Sequence, residues 1–252
     1  MKRLTVLDWK SARNVSDPQF EGYPEHPIQV AAYAAAYNLT AEEKVTAAGV
    51  VYLDKESGEP RCFDATEELK ENFAAFKAVR EYFRLKVEPE KSDRRFYKYE
   101  GDKFPSVTTI LSVLNKPALI QWAANMAADY IADNINELRI STITDERVNQ
   151  IFTDAKKSHR VESRKAMDIG SVIHDAIQCH LSGGDPSKNL EGNDAARNGF
   201  LAFLEWSKRV MLEPVKLEHT VYHPALRYAG TFDFLGYVDF NGASEQEELL
   251  DF

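Results

Sequence analysis

The pattern of apolar and polar positions changes period several times along the chain. Residues 4–10, LTVLDWK, alternate as a short strand of β-forming residues and end in Asp8 and Lys10. A polar loop over 11–26 contains Pro18, Gly22 and Pro24, and Pro27 then suits the first turn of an Ala-rich helix through Gln29, Tyr33 and Tyr37. Residues 45–53 and 60–63 read as two strands joined by a turn over 54–59. Asp64 with Glu67 resembles a variant capping box, opening a helix whose apolar stripe is Leu69, Phe73, Phe76, Tyr82 and Phe83. Residues 86–94 are charged, contain a proline and lack apolar periodicity, which marks an exposed connector.

Beyond the connector, 96–99 and 104–110 suggest a hairpin-like entry to a helix through Trp122 and Ile131. Further helices are expected over 144–156, 166–180 and 193–211, with Gly183 and Gly184 closing the third of these four. The last part reads as β, with strands over 215–222 and 231–240, a turn over 225–230, and the hairpin signal Asn241-Gly242.

Composition narrows the class. With 44% hydrophobic and 28% charged residues over 252 positions, the chain is an ordinary globular sequence. No apolar run approaches the roughly 20 residues that span a bilayer, so no membrane partner is expected and a cytoplasmic location is. Cys62 and Cys179 are too few for a zinc ribbon or an iron–sulfur cluster and read as buried small hydrophobes. A net charge of -9 argues against indiscriminate coating of nucleic acid, although carboxylates gathered at a metal site also push the total negative.

The candidate chemistry lies in small groups. Side chains alternate along a strand, so Asp8 and Lys10 leave one face roughly 6–7 Å apart. A carboxylate that can hold a divalent cation then stands beside an ammonium that can orient water. Taken alone, the pair reads sooner as a strand end emerging into solvent. Gln29 and Tyr33 share a helix face, as do Gly170 and His174, and each group also has a plain structural reading. Lys156, Lys157, Arg160, Arg164 and Lys165 form a basic run that suits either a phosphate backbone or a solvated helix face. Glu218 and Asp233 fall in the two C-terminal strands.

Together these groups resemble one family. Gly170-x-x-x-His174, Glu218, Gly230-x-x-Asp233, Asp8-x-Lys10 and Gln29-x-x-x-Tyr33 are similar to the motif set of the PD-(D/E)XK nuclease superfamily, in its RecB-like and phage-exonuclease branch. Residues 104–111, FPSVTTIL, and 121–123, QWA, look like the front of phage-encoded members. The order differs: the family runs from the His helix through the Asp strand to the Asp-x-Lys strand and the Gln/Tyr helix, whereas here the last two come first. The chain therefore resembles a circularly permuted member. Residues 249–252, LLDF, parallel 6–9, VLDW, and stop before a lysine, so residues 4–10 are expected to fill the central strand, or two chains to exchange these strands.

The resemblance implies an α/β fold with a restriction-endonuclease-like core: a mixed central sheet of about four strands flanked by helices, with a helical annex over 105–160. Residues 1–88 would form the C-terminal half and 95–252 the N-terminal half of one domain, joined by 89–94. It also implies Mg2+ or Mn2+ held by Asp8, Asp233, His174, the Trp9 carbonyl and Glu218, with Lys10, Asp8 and Asp233 catalytic. Gln29 and Tyr33 would hold the DNA backbone or buttress Lys10. The expected activity is metal-dependent hydrolysis of DNA, without an iron–sulfur cluster, by a monomer or homo-oligomer in a bacterial or phage-infected cell. Two other classes stand beside it: a DNA-binding or structural subunit with a broken site, and an acidic interaction module in which Asp8, Lys10, His174 and Asp233 lie scattered.

Overall fold

A computed structural model of the chain describes residues 2–87, 96–114 and 116–240. Its strands are β1 (Arg3–Ala12), β2 (Ala47–Asp54), β3 (Pro60–Asp64), β4 (Phe96–Tyr99), β5 (Asp102–Pro105), β6 (Met211–His223) and β7 (Tyr228–Asp239). The helices are α1 (Glu25–Thr40), α2 (Leu69–Lys86), α3 (Val107–Leu111), α4 (Pro117–Asp133), α5 (Ile135–Leu138), α6 (Asp145–Leu181), α7 (Ser187–Leu190) and α8 (Asp194–Arg209). Two compact units emerge, Met1–Leu114 with Val172–Phe252, and Asn115–Ser171. Most of the annex expected over 105–160 thus belongs to a unit of its own, while α3 stays with the first.

The first unit is α/β. Its five-stranded mixed sheet has the order β3-β2-β1-β7-β6, one strand more than expected, and β1 lies at its centre. β1 is parallel to β2 and antiparallel to β7, and the two outer pairs are antiparallel. A central strand is covered on both faces, which explains why LTVLDWK carries apolar residues toward both of them, Leu4 and Val6 on one and Leu7 and Trp9 on the other. Leu4, Val6 and Asp8 face α1, whereas Leu7 and Trp9 face the other way, where Trp9 meets Phe203 and Trp206 of α8. α1 presents the small residues Ala31, Ala32, Ala34 and Ala36 to the interior, so helix and sheet approach closely. Pro27 costs its first turn nothing, because an N–H there has no helical partner.

Several boundaries differ from the expected ones for identifiable reasons. The helices expected over 144–156 and 166–180 are one 37-residue helix, α6, because the charged stretch between them contains no proline or glycine and is rich in good helix formers. The capping box at Asp64 does not form: its Oδ1 accepts from the Thr66 N–H, and α2 begins only at Leu69. On α2, Phe76 and Phe83 are buried but Tyr82 is exposed, and buried Arg80 donates to the Leu226 and Arg227 carbonyls of the β6–β7 turn. β6 starts at Met211 and tolerates Pro214 at a register shift because it is a sheet edge. Both cysteines are free and half-buried, less enclosed than expected. Most of the connector, the Asn241-Gly242 hairpin and the tail over 248–252 lie outside the described residues.

Gly230, part of the Gly-x-x-Asp motif, has a packing role. A Cβ there would stand 2.3 Å from Tyr33 Cε1 and 3.3 Å from Val107 Cγ2, both buried. The bare backbone is what lets Tyr33 of α1 lie against β7. Gly230→Ala is therefore expected to destabilise the fold by about 1–3 kcal/mol through overpacking, read as a lowered midpoint in denaturant unfolding; an unchanged midpoint would show that Tyr33 moves freely.

Candidate functional site

The site forms where two strands part. β1 and β7 pair from Arg3 opposite Val238 as far as Leu7 opposite Phe234. One step on, Asp8 and Asp233 are the next opposed positions, and there the ladder gives way to a side-chain bond: Asp233 Oδ2 accepts the Trp9 N–H at 2.6 Å. Across β6, Leu217 pairs with Phe234 and His219 with Phe232, which leaves Glu218 facing Asp233. Glu218 has φ +44°, a left-handed conformation rare for a residue with a side chain in mid-strand. Strain of this kind persists where the surroundings demand it, commonly at functional sites. Phe232 packs on Tyr37 of α1 while Phe234 packs on Trp9 on the opposite face, so side-chain alternation slips at this point of β7.

His174, carried by α6, completes a cluster. Its Nδ1 lies 3.4 Å from Asp233 Oδ1 and 4.0 Å from Glu218 Oε1. One ligand atom from each of His174, Glu218 and Asp233 lies within 4.8 Å of the others. Ligands held at about 2.0–2.6 Å around one hard cation are at most about 5 Å apart, so the spacing fits a single ion. Two carboxylates with one imidazole suit Mn2+ better than Mg2+, which prefers oxygen. Asp233 forms the buried floor and Glu218 the exposed rim.

Asp8 adjoins this cluster and is tied elsewhere. Lys10 Nζ lies 2.5 Å from its Oδ2, and Gln29 Nε2 donates to its Oδ1 at 3.2 Å and to the Tyr33 hydroxyl at 2.9 Å. Gln29 and Tyr33 are both buried, so they support Asp8 from behind rather than reach toward a bound backbone. The Trp9 ring is buried among aromatic residues and its N–H is spent on Asp233.

The charges shift one another. Burial pushes Asp8 up to about 6, with Lys10 offsetting part of that and Asp233 adding to it. Burial works against the Lys10 charge, but Asp8 and Asp233 outweigh it and raise Lys10 above its ordinary value; Glu25, in the first turn of α1, adds to the effect. Asp233 is held below the usual carboxylate range: burial opposes this, and the charges of His174 and Lys10 with the Trp9 N–H overcome it. His174 rises to about 9 because Asp233, with help from Asp8, outweighs burial. Burial, reinforced by Asp233, lifts Glu218 to about 7. At neutral pH Lys10 and His174 are thus both cations.

The structure brings Asp8, Lys10, Gln29, Tyr33, His174, Glu218 and Asp233 into one neighbourhood of the first unit, so the scatter expected of an interaction module is not seen. Lys156, Lys157, Arg160, Arg164 and Lys165 are exposed on α6 in the second unit. At 100° per residue the first four share an arc of about 100°. Glu25 and Tyr52 belong to no motif; the parallel β1–β2 pairing reveals the closeness of Tyr52 to Lys10, and Glu25 shows itself through its effect on the Lys10 charge. The chain matches no family model, no curated protein and no solved structure at significance.

Metal binding at this cluster would carry a defined pH signature. An imidazole must lose its proton to ligate, so an ion displaces one proton from His174 below about pH 9 and part of a second from Glu218 below about pH 7. Mn2+ affinity measured by titration calorimetry is expected to rise about tenfold per pH unit between 7 and 9, more steeply below 7, and to level off above 9. Affinity that does not change over this range would remove His174 from the ligand set.

Proposed function

We propose that this chain is a metal-dependent deoxyribonuclease, a circularly permuted relative of the RecB-like and phage-type PD-(D/E)XK nucleases. The observation that carries the reading is the meeting of His174, Glu218 and Asp233 beside the Asp8–Lys10 ion pair, from opposite ends of the chain, where β1 leaves β7. The permutation is supported by connectivity. The motif-bearing elements run β1, α1, α6, β7, which is the order the resemblance implies once its chain break is moved from before the His helix to between the Asp strand and the Asp-x-Lys strand, and β7 and β1 are neighbours in the sheet.

His174, Asp233 and Glu218 would hold the cation, with Asp8 and the Trp9 carbonyl as further ligands. When bound, Mn2+ or Mg2+ would acidify a water and polarise a phosphoryl oxygen. Lys10 remains an ammonium at neutral pH, so it acts by orienting the water and by stabilising charge that builds on the phosphate, not by accepting a proton. Gln29 fixes Asp8 in one rotamer, which leaves Oδ2 for the ion pair. The Trp9 N–H and the His174 imidazole hold Asp233 ionised. The basic run on α6 would serve backbone phosphates.

The test is degradation of end-labelled linear duplex and single-stranded DNA with Mn2+ or Mg2+. Lys10→Ala and Asp233→Ala are each expected to slow cleavage by at least about two orders of magnitude, as removal of a group acting mainly in the transition state does. Wild-type protein that binds DNA but matches both variants in having no activity would replace the enzyme with a binding subunit of the same fold.

A further inference from the structure

Beside Lys10 stands an aromatic group that the proposed chemistry does not use. In the parallel β1–β2 ladder Lys10 is opposite Tyr52, and paired residues share a face. Tyr52 is buried, and its hydroxyl ends on the polar loop between β1 and α1, where it accepts the Tyr23 N–H at 2.9 Å. The same hydroxyl shares a hydrogen bond with His26 Nδ1 at 2.8 Å. The His26 N–H in turn bonds the Tyr23 carbonyl at 3.0 Å. Both backbone groups of Tyr23 are thus fixed.

The loop is shaped for this contact. Gly22 has φ +72°, and a Cβ there would lie 2.8 Å from the Tyr52 hydroxyl, so glycine is required twice over. Phe20 packs edge-on against Tyr52 with ring centres 5.0 Å apart, and Arg61 lies over Phe63 while donating to the Asp17 carbonyl. Upstream, the Val15 N–H is held by Asp54 Oδ2 at 2.8 Å. A segment without regular structure is therefore anchored at several points. What it displays is the Tyr23 ring, 47% exposed, with the His26 ring 5.3 Å away and tilted by 60°. A tyrosine needed only to cover Phe20 and Tyr52 would lie flat on them; its ring centre is instead 6.2 Å from that of Tyr52 and half of it faces solvent.

We propose that Tyr23, flanked by His26, is a stacking platform for an unpaired nucleobase of the strand whose phosphate lies at Lys10, and that the substrate is therefore single-stranded or frayed DNA rather than intact duplex. The inference rests on the nuclease reading for the position of the phosphate. Every base offers a π-face, so an aromatic ring held in place accepts any sequence, and the base must be out of a duplex to use it. Lys10, opposite Tyr52 in the ladder, stands on the same face of the sheet as the residue that anchors this loop.

Binding measured in EDTA separates this platform from the chemistry. The probes are a short single strand carrying 2-aminopurine, whose emission falls on stacking, and its duplex. Tyr23→Ala is expected to weaken single-strand binding roughly ten- to a hundredfold and to abolish the quench, with duplex binding unchanged, while Tyr23→Phe and Tyr23→Trp keep both. Single-strand binding and quench that survive in Tyr23→Ala overturn the platform, as does a wild-type protein with no affinity for single strands. If Tyr23→Ala loses both in a protein that cleaves nothing with any metal, the platform stands and the nuclease reading falls; if metal-dependent cleavage persists and Tyr23→Ala binds as wild type does, the reverse holds.

Discussion

The bond from the Trp9 N–H to the Asp233 carboxylate is the constraint on which the candidate site depends. It replaces a rung of the β1–β7 ladder with a side chain, so the strands diverge without leaving a buried N–H unpaired, which would cost about 1–3 kcal/mol. Divergence opens space beside Asp8, and the same carboxylate that closes the ladder on one oxygen faces His174 with the other. Trp9 cannot shift to relieve the arrangement, because its ring is locked between Phe203, Trp206 and Phe234. Packing on the α8 face of the sheet thereby fixes chemistry on the α1 face.

Much of this was legible in the residues. β1, α1, β2 and β3 follow from apolar periodicity and turn composition, and the residues singled out in β1, α1, α6, β6 and β7 lie together in the first unit. The parts that were not legible depend on tertiary context. The stretch over 157–165 has no apolar period, so only its helix-forming composition, a weaker signal, marks it as the middle of a 37-residue helix. Burial of Gln29 and Tyr33 could not be read from their spacing, since an i, i+4 pair shares a face whether that face is wet or dry. The left-handed Glu218 has no sequence signature at all, because glutamate does not favour positive φ. Tyr52 and Tyr23 became partners only through the parallel register of β1 and β2.

α1 links the site to the core. One helix face carries small alanines for close approach to the sheet, and the same turns carry Gln29 and Tyr33 to Asp8. Tyr228 reaches across from β7 to donate to the Ala32 carbonyl at 2.9 Å, and the bare Gly230 gives Tyr33 its space. Stability and candidate chemistry therefore share residues, and substitutions on this helix will couple rather than add.

The electrostatics explain how the carboxylates tolerate one another. Asp8, Asp233 and Glu218 together would place three negative charges in a partly buried space, which is unfavourable unless compensated. Lys10 and protonated His174 supply two positive charges, and Glu218, lifted to about 7, is half neutral near physiological pH. Protons thus do the work that a divalent cation would do. Any cation proposed for this cluster would compete with the protons on His174 and Glu218, so the charge balance of the site rests on the same groups that Trp9 and Gln29 hold in place.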